Sequence, residues 1–145
     1  MVDRTYGLLK WLRGACVGTV MTLRVEAIPS PASRPRVSKF GTYYAKSYAT
    51  FMAACHKQMA AQWGGEALTG PLASVAEIII PKPKTGKRAW PIGDSDNYGK
   101  GVLDGATKAG VWIDDDHCVA PISIKRYADP GEKPGVILHV GKLRQ

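Results

Sequence analysis

The chain has 145 residues, which fits one domain around one core and leaves little room for a second. Its 20 basic residues against 12 acidic ones give a formal net charge of +8, which suits a polyanionic partner such as nucleic acid, although a basic protein without such a partner has the same composition. Three cysteines (Cys16, Cys55, Cys118) without a CxxC spacing argue against a disulfide framework or a structural zinc site and suit a reducing cytoplasm, and no run approaches the roughly 18 apolar residues of a membrane span.

Residues 1 to 20 scatter Asp3, Arg4, Lys10 and Arg13 and so lack the apolar stretch of a secretory signal. They read as an extension outside the core, with the folded domain at 21 to 145. A shorter natural product starting at Met21 is an expectation that mass spectrometry of the native protein tests. Residues 22 to 28, TLRVEAI, alternate Leu23, Val25 and Ala27 against Arg24 and Glu26, the pattern of a half-buried strand. Residues 29 to 44 break regular structure with three prolines and set Arg34, Arg36 and Lys39 beside Phe40, Tyr43 and Tyr44. This predicts an ordered loop, because the aromatic rings need something to pack on.

From Tyr48 to Trp63 the period changes. Tyr48, Met52, Cys55 and Met59 share one helical stripe, His56 and Lys57 lie off it, and Gly64 and Gly65 stop the helix. The stripe reads as core, not as a cofactor site. Residues 72 to 80, LASVAEIII, are apolar enough for a central strand. Residues 81 to 93 carry Lys82, Lys84, Lys87 and Arg88 among prolines and read as a mobile basic loop that delivers the chain to Asp94. A weak helix follows from about 97 to 110, capped by Asp96 or Asn97 and stopped by Gly110, with Val102, Leu103 and Ala106 on its buried side. Its glycines at 99, 101 and 105 cost about 1 kcal/mol each in a helix interior, and point to close approach of another backbone or of a ligand. Trp112 reads as core. Residues 121 to 127 and 135 to 140 are two strands joined by ADPGEKPG and are expected to pair as a hairpin.

Two carboxylate groups carry the chemistry. Asp94 and Asp96 are two residues apart, Lys100 is one helical turn beyond Asp96, and Asp114, Asp115 and Asp116 follow after the helix. They read either as a helix cap and a solvated turn, or as halves of one divided metal site. The helix is about 20 Å long, and five extended steps from Gly110 cover about 16 Å, so a chain that doubles back can return the triplet towards Asp94. Carboxylates without thiolate or imidazole neighbours are hard ligands that suit Mg2+ or Mn2+. Such an ion polarises a phosphoryl oxygen, and an adjacent lysine adds positive charge where negative charge develops. With a basic surface, the matching substrate is a phosphodiester. An EF-hand fails because Tyr98 and Gly105 stand where its fifth and twelfth positions need oxygen ligands. A phosphatase-type DxD nucleophile would end an apolar strand, and Asp94 instead follows a basic loop. Zinc at His117 and Cys118 would need two more ligands from isolated residues. Asp104, one turn beyond Lys100, is expected to pair with it.

The run GDSDNYGKGVLDGATKAGVWIDDDHCV closely resembles the RusA-type Holliday junction resolvases, small crossover-junction endodeoxyribonucleases common in phages and prophages. The resemblance rests on Asp-x-Asp-Asn at 94 to 97, the lysine four residues after the second aspartate, an alanine-bearing helix and the Gly-Val-Trp-x-Asp-Asp turn. The early proline-rich PSPASRPR adds to it, and together they span roughly residues 21 to 140. It implies an α+β single domain with a mixed sheet of about four strands and two main helices, forming a homodimer. It further implies an enzyme that uses Mg2+, or Mn2+ in its place, to resolve four-way DNA junctions by paired symmetric nicks in recombination and repair. The family's catalytic aspartates fall on Asp94, Asp96 and Asp115, which would also hold the metal, and its lysine falls on Lys100. Asp116 stands where a small polar residue is usual, which leaves Asp114 and Asp116 as alternative ligands. Arg34, Arg36, Lys82, Lys84, Lys87 and Arg88 are the candidate phosphate contacts. A broader nuclease of forks and flaps is the alternative, and a DNA-binding protein that has lost catalysis is a third reading, against which the intact Asp94, Asp96, Lys100 and Asp115 speak.

Overall fold

The computed structural model describes residues 3–32, 36–43, 45–86 and 88–145. In chain order the elements are α1 (Leu8–Ala15), β1 (Cys16–Glu26), β2 (Arg36–Ser38), β3 (Gly41–Tyr43), α2 (Lys46–Gln62), β4 (Leu72–Ile80), α3 (Ser95–Lys108), a short 3₁₀ turn (Asp115–His117), β5 (Cys118–Tyr127) and β6 (Gly135–Leu143). Every residue of β4 but the last is buried. Such a strand needs neighbours on both edges and cover on both faces. It pairs antiparallel with β6 and parallel with β5, and β1 closes the far edge of β6. The result is a mixed four-stranded sheet in the order β1-β6-β4-β5, an α+β single domain.

This order corrects the expected hairpin. β5 and β6 are neighbours in sequence, yet β4 lies between them. A hairpin would leave β4, buried on both faces, at an edge with an unpaired row of backbone groups. The parallel β4–β5 pairing requires a crossover, and α3 supplies it.

α2 and α3 cover one face of the sheet. Phe51, Cys55 and Met59 from α2 and Tyr98, Val102 and Ala106 from α3 pack on Leu72, Ala76, Ile78, Val136, Leu138 and Val140. The buried stripe of α2 is Tyr48, Phe51, Cys55 and Met59, with Met52 only half-buried. Gly105 explains part of the glycine content of α3: a Cβ there would lie 2.6 Å from the Cβ of Cys55, so the two helices touch almost backbone to backbone. The close neighbour is another helix, not a ligand.

The opposite face corrects a second expectation. Residues 1 to 20 do not all lie outside the core: Leu12 and Cys16 are fully buried in a second apolar cluster with Ala73 and Val75 of β4. Lys10 and Arg13 occupy the exposed side of α1 while Leu8, Leu9 and Leu12 face the sheet, so scattered charges there mark an amphipathic helix. Burying a leucine side chain contributes about 2 kcal/mol. Further along this face Glu77 and His139, both buried, meet at 2.7 Å, and the other ring nitrogen of His139 lies 3.0 Å from Thr22 Oγ1.

The proline-rich segment also differs from its expectation. Residues 36 to 43 form a two-stranded ribbon, β2 with β3, and Phe40 at its turn is 89% exposed. Instead of packing inward, its ring lies 5.2 Å from the Lys39 ammonium.

Candidate active site

The chain enters α3 through Gly93, whose φ of 99° lies in the left-handed region that favours glycine. A Cβ there would also stand 3.1 Å from the ring of Tyr98. Asp94 is the N-cap residue in extended backbone, and its carboxylate makes no capping hydrogen bond. The expected caps were Asp96 or Asn97. Asp96 instead lies inside the first turn, where its carboxylate accepts the Asn97 N–H at 3.0 Å. Lys100 sits one turn further on, and Asp94, Asp96 and Lys100 are all exposed. The positive end of the helix dipole favours carboxylates at this position. The proline-rich segment comes to the same place, because Ala32 donates its N–H to the carbonyl of Asn97 at 2.8 Å.

The aspartate triplet takes a different position. Asp114 caps the 3₁₀ turn by accepting the Asp116 N–H at 3.3 Å. Asp115 has its carboxyl raised above the ordinary range, first by a hydrogen bond with Asp114, then by partial burial and by repulsion from Asp114, Asp104 and Asp116. Asp114 is lowered, first by the same hydrogen bond and then by the Asp116 N–H. With Met52, Asp104 and Thr107, they line an open depression beside the C-terminal half of α3. Asp104 does not pair with Lys100; it accepts a hydrogen bond from the Tyr48 hydroxyl at 3.3 Å and faces Asp115.

The helix therefore separates the sequence-predicted set. From 94 to 104 is about 15 Å at 1.5 Å per residue, and among the described residues no group of three His, Cys, Asp or Glu side chains can hold one metal ion. The expected return of the triplet to Asp94 does not occur within one chain. The cause is the anchoring of the connection: Trp112 is buried and donates its indole N–H to Thr107 at 2.7 Å, while Val111 and Ile113 exchange backbone bonds with Leu68. No slack remains for the run back along the helix. As donors, Asp94 and Asp96 suit a hard divalent cation, and both stand at the start of α3.

The zinc alternative loses its ligands to structural roles. His117 Nδ1 accepts the Gly70 N–H at 2.7 Å, and the Cys118 thiol donates to Ser74 at 3.3 Å. All three cysteines are free and buried, and burial pushes the Cys55 thiol up to about 12.

Of the candidate phosphate contacts, Lys82, Lys84 and Arg88 are exposed and form no ion pair among the described residues. The Arg88 guanidinium lies 5.7 Å from the ring of Trp90. Arg36 opens β2, and Arg34 and Lys87 lie outside the described residues. Sequence reading assigned no role to Lys125, which reaches from β5 to the segment just ahead of Asp94. Its only sequence signal was its place, beside Arg126, near the end of a strand that begins mostly apolar.

A mixed sheet with exposed carboxylates and an exposed lysine at the head of one helix, in a chain of net charge +8, defines the class: a basic α+β domain. The chain belongs to the RusA endodeoxyribonuclease family, whose model, described as Endodeoxyribonuclease RusA, matches residues 26–140. It is thus a nuclease of the family that resolves Holliday junctions. No curated protein matches the chain. Among the described residues no helix is long and apolar enough to cross a membrane.

Proposed function

We propose that the protein is a homodimeric, Mg2+-dependent endodeoxyribonuclease that resolves four-way DNA junctions by paired symmetric nicks, with Mn2+ able to substitute. The observation that carries this reading is the exposed set Asp94, Asp96 and Lys100 at the head of α3, inside the family-matched region. Because α3 keeps Asp115 near its other end, we assign each site to two chains: Asp94, Asp96 and Lys100 of one protomer with Asp115 of the partner subunit. A two-fold dimer then carries two such sites, which suits a junction whose own symmetry is close to two-fold.

Asp94, Asp96 and Asp115 of the partner subunit would hold the cation, which supplies Lewis acidity at the phosphoryl oxygen and lowers the pKa of water. Lys100 faces the scissile phosphate and stabilises the charge that develops on it. Lys82, Lys84 and Arg88, together with Arg34, Arg36 and Lys87, hold flanking phosphates, so binding weakens steeply with salt. The carboxylates of Asp114, Asp104 and Asp116 around Asp115 form an acidic cluster that suits a cationic partner.

Incubation of the purified protein with a synthetic four-way junction, a fork and a linear duplex, each with and without Mg2+, tests the reading. Junction cleavage at symmetric positions, dependent on the metal, is the expected result. Equal cutting of all three substrates would remove junction specificity in favour of a broader branched-DNA nuclease. Binding without cutting would leave a DNA-binding protein.

A further inference from the structure

The four residues from Trp90 to Gly93 lead directly into Asp94 and belong to no helix or strand, yet a side chain takes every one of their carbonyls. The Tyr127 hydroxyl donates to the carbonyl of Trp90 at 3.1 Å. The Lys125 ammonium donates to Pro91 at 2.7 Å and also to Gly93. The Tyr98 hydroxyl donates to Ile92 at 3.1 Å. Exposed turns ordinarily leave such carbonyls to water. Here β5 and α3 hold the main chain from both sides.

Lys125 is the centre of this arrangement. Its bonds are charge-assisted, and such bonds are about twice as strong as neutral ones. They reach the two residues nearest the Asp94 backbone that the tyrosines do not hold. The ammonium is half-buried, forms no ion pair among the described residues, and commits two of its three protons to the main chain. That arrangement matters because Asp94 and Asp96 stand on different supports. Asp96 belongs to the helix, whereas Asp94 is its N-cap: its carbonyl accepts the Tyr98 N–H at 3.3 Å, and its nitrogen side is joined to the segment that Lys125 holds.

The geometry points to Lys125 as a positioning residue: it fixes the backbone from which Asp94 projects, and with it the spacing between the Asp94 and Asp96 carboxylates. The catalytic consequence rests on the nuclease reading above; the structural statement does not. Two variants separate them, Lys125→Met, which keeps the apolar stem and removes the ammonium, and Lys125→Arg, which restores donors. In single-turnover cleavage of a four-way junction with Mg2+, Lys125→Met is expected to be about a hundredfold slower, the cost of a misplaced reacting group. Junction affinity in a gel shift should stay unchanged, and Lys125→Arg should recover part of the rate. Hydrogen exchange of the free protein, without metal or DNA, should accelerate in Lys125→Met over residues 90 to 97 and not in β4 or β6. Wild-type cleavage by Lys125→Met, unchanged exchange in that segment, or faster exchange throughout the sheet would each overturn the proposal. Should the wild-type protein cut no DNA, the nuclease reading falls, and the exchange measurement still decides the role of Lys125.

Discussion

Replacing Asp94 by asparagine keeps the size of the side chain and its place at the helix N-cap, and removes one negative charge. Because the Asp94 carboxylate makes no capping bond, the substitution costs the fold little. Asp94→Asn is therefore expected to abolish junction cleavage while gel-shift binding and the melting temperature persist. Loss of binding together with cleavage would point to a structural role. Lys100 is exposed and forms no ion pair among the described residues, so Lys100→Ala tests charge stabilisation cleanly. Turnover should fall about 10²-fold or more, the usual range for a lost electrostatic donor, at a nearly normal Mg2+ requirement. A shift in the Mg2+ requirement alone would move Lys100 from stabilising the phosphate to holding the ligands.

At the scale of elements, α3 is built against its own propensity. Gly105→Ala should gain about 1 kcal/mol of helix propensity. It would also set a methyl 2.6 Å from the Cβ of Cys55 and 3.1 Å from the backbone nitrogen of His56, which cannot move without shifting α2. Overpacking of this kind costs about 1–3 kcal/mol, so urea unfolding should show a net loss of stability. The loop between β5 and β6 carries a different device. Arg126 holds Glu132 through bonds of 2.5 and 2.8 Å, and this pairing is the main cause that lowers the Glu132 carboxyl to about 2. A depressed carboxyl contributes stability above its unfolded value of 4.5 and loses it as pH falls towards about 2. Wild-type unfolding free energy should drop across that window by about 2 kcal/mol, reduced from the full shift because Glu132 is partly in solvent. Glu132→Gln should be less stable at neutral pH and lack that part of the acid slope.

These elements were unevenly legible. The run LASVAEIII announces a central strand, and the change of period at Tyr48 announces α2, because each pattern is set by the element's own burial. The glycines of α3 signal close approach without naming the partner. The β5–β6 hairpin misled because sequence adjacency says nothing of a third strand inserted between two others. α1 was missed because its charges, taken without their helical spacing, resemble a solvated tail. Phe40 misled because an aromatic residue at a turn carries no sign of which way it faces.

For the whole molecule, the placement of Asp96 and Lys100 one turn apart was readable because both follow the geometry of one helix, with Asp94 at its N-cap. The position of Asp115 was not, because chain length gives only the reach of a connection and not its direction. Trp112 and Leu68 decide that direction, and they hold the triplet beside Asp104. If a site draws Asp94 from one protomer and Asp115 from its partner, two inactive variants can repair each other. A homodimer of Asp94→Asn lacks the first residue in both sites, and a homodimer of Asp115→Asn lacks the second in both. A mixed dimer gathers both substitutions into one site and leaves the other intact. Unfolding and refolding the two variants together should therefore restore cleavage to about a quarter of the wild-type rate, since random pairing makes half the dimers mixed and each has one working site. The restored activity should nick one strand per binding event instead of two. No recovery on mixing, with mixed dimers shown by differential tags, would place all catalytic carboxylates within a single chain and require the 3₁₀ turn to move along α3 when DNA binds.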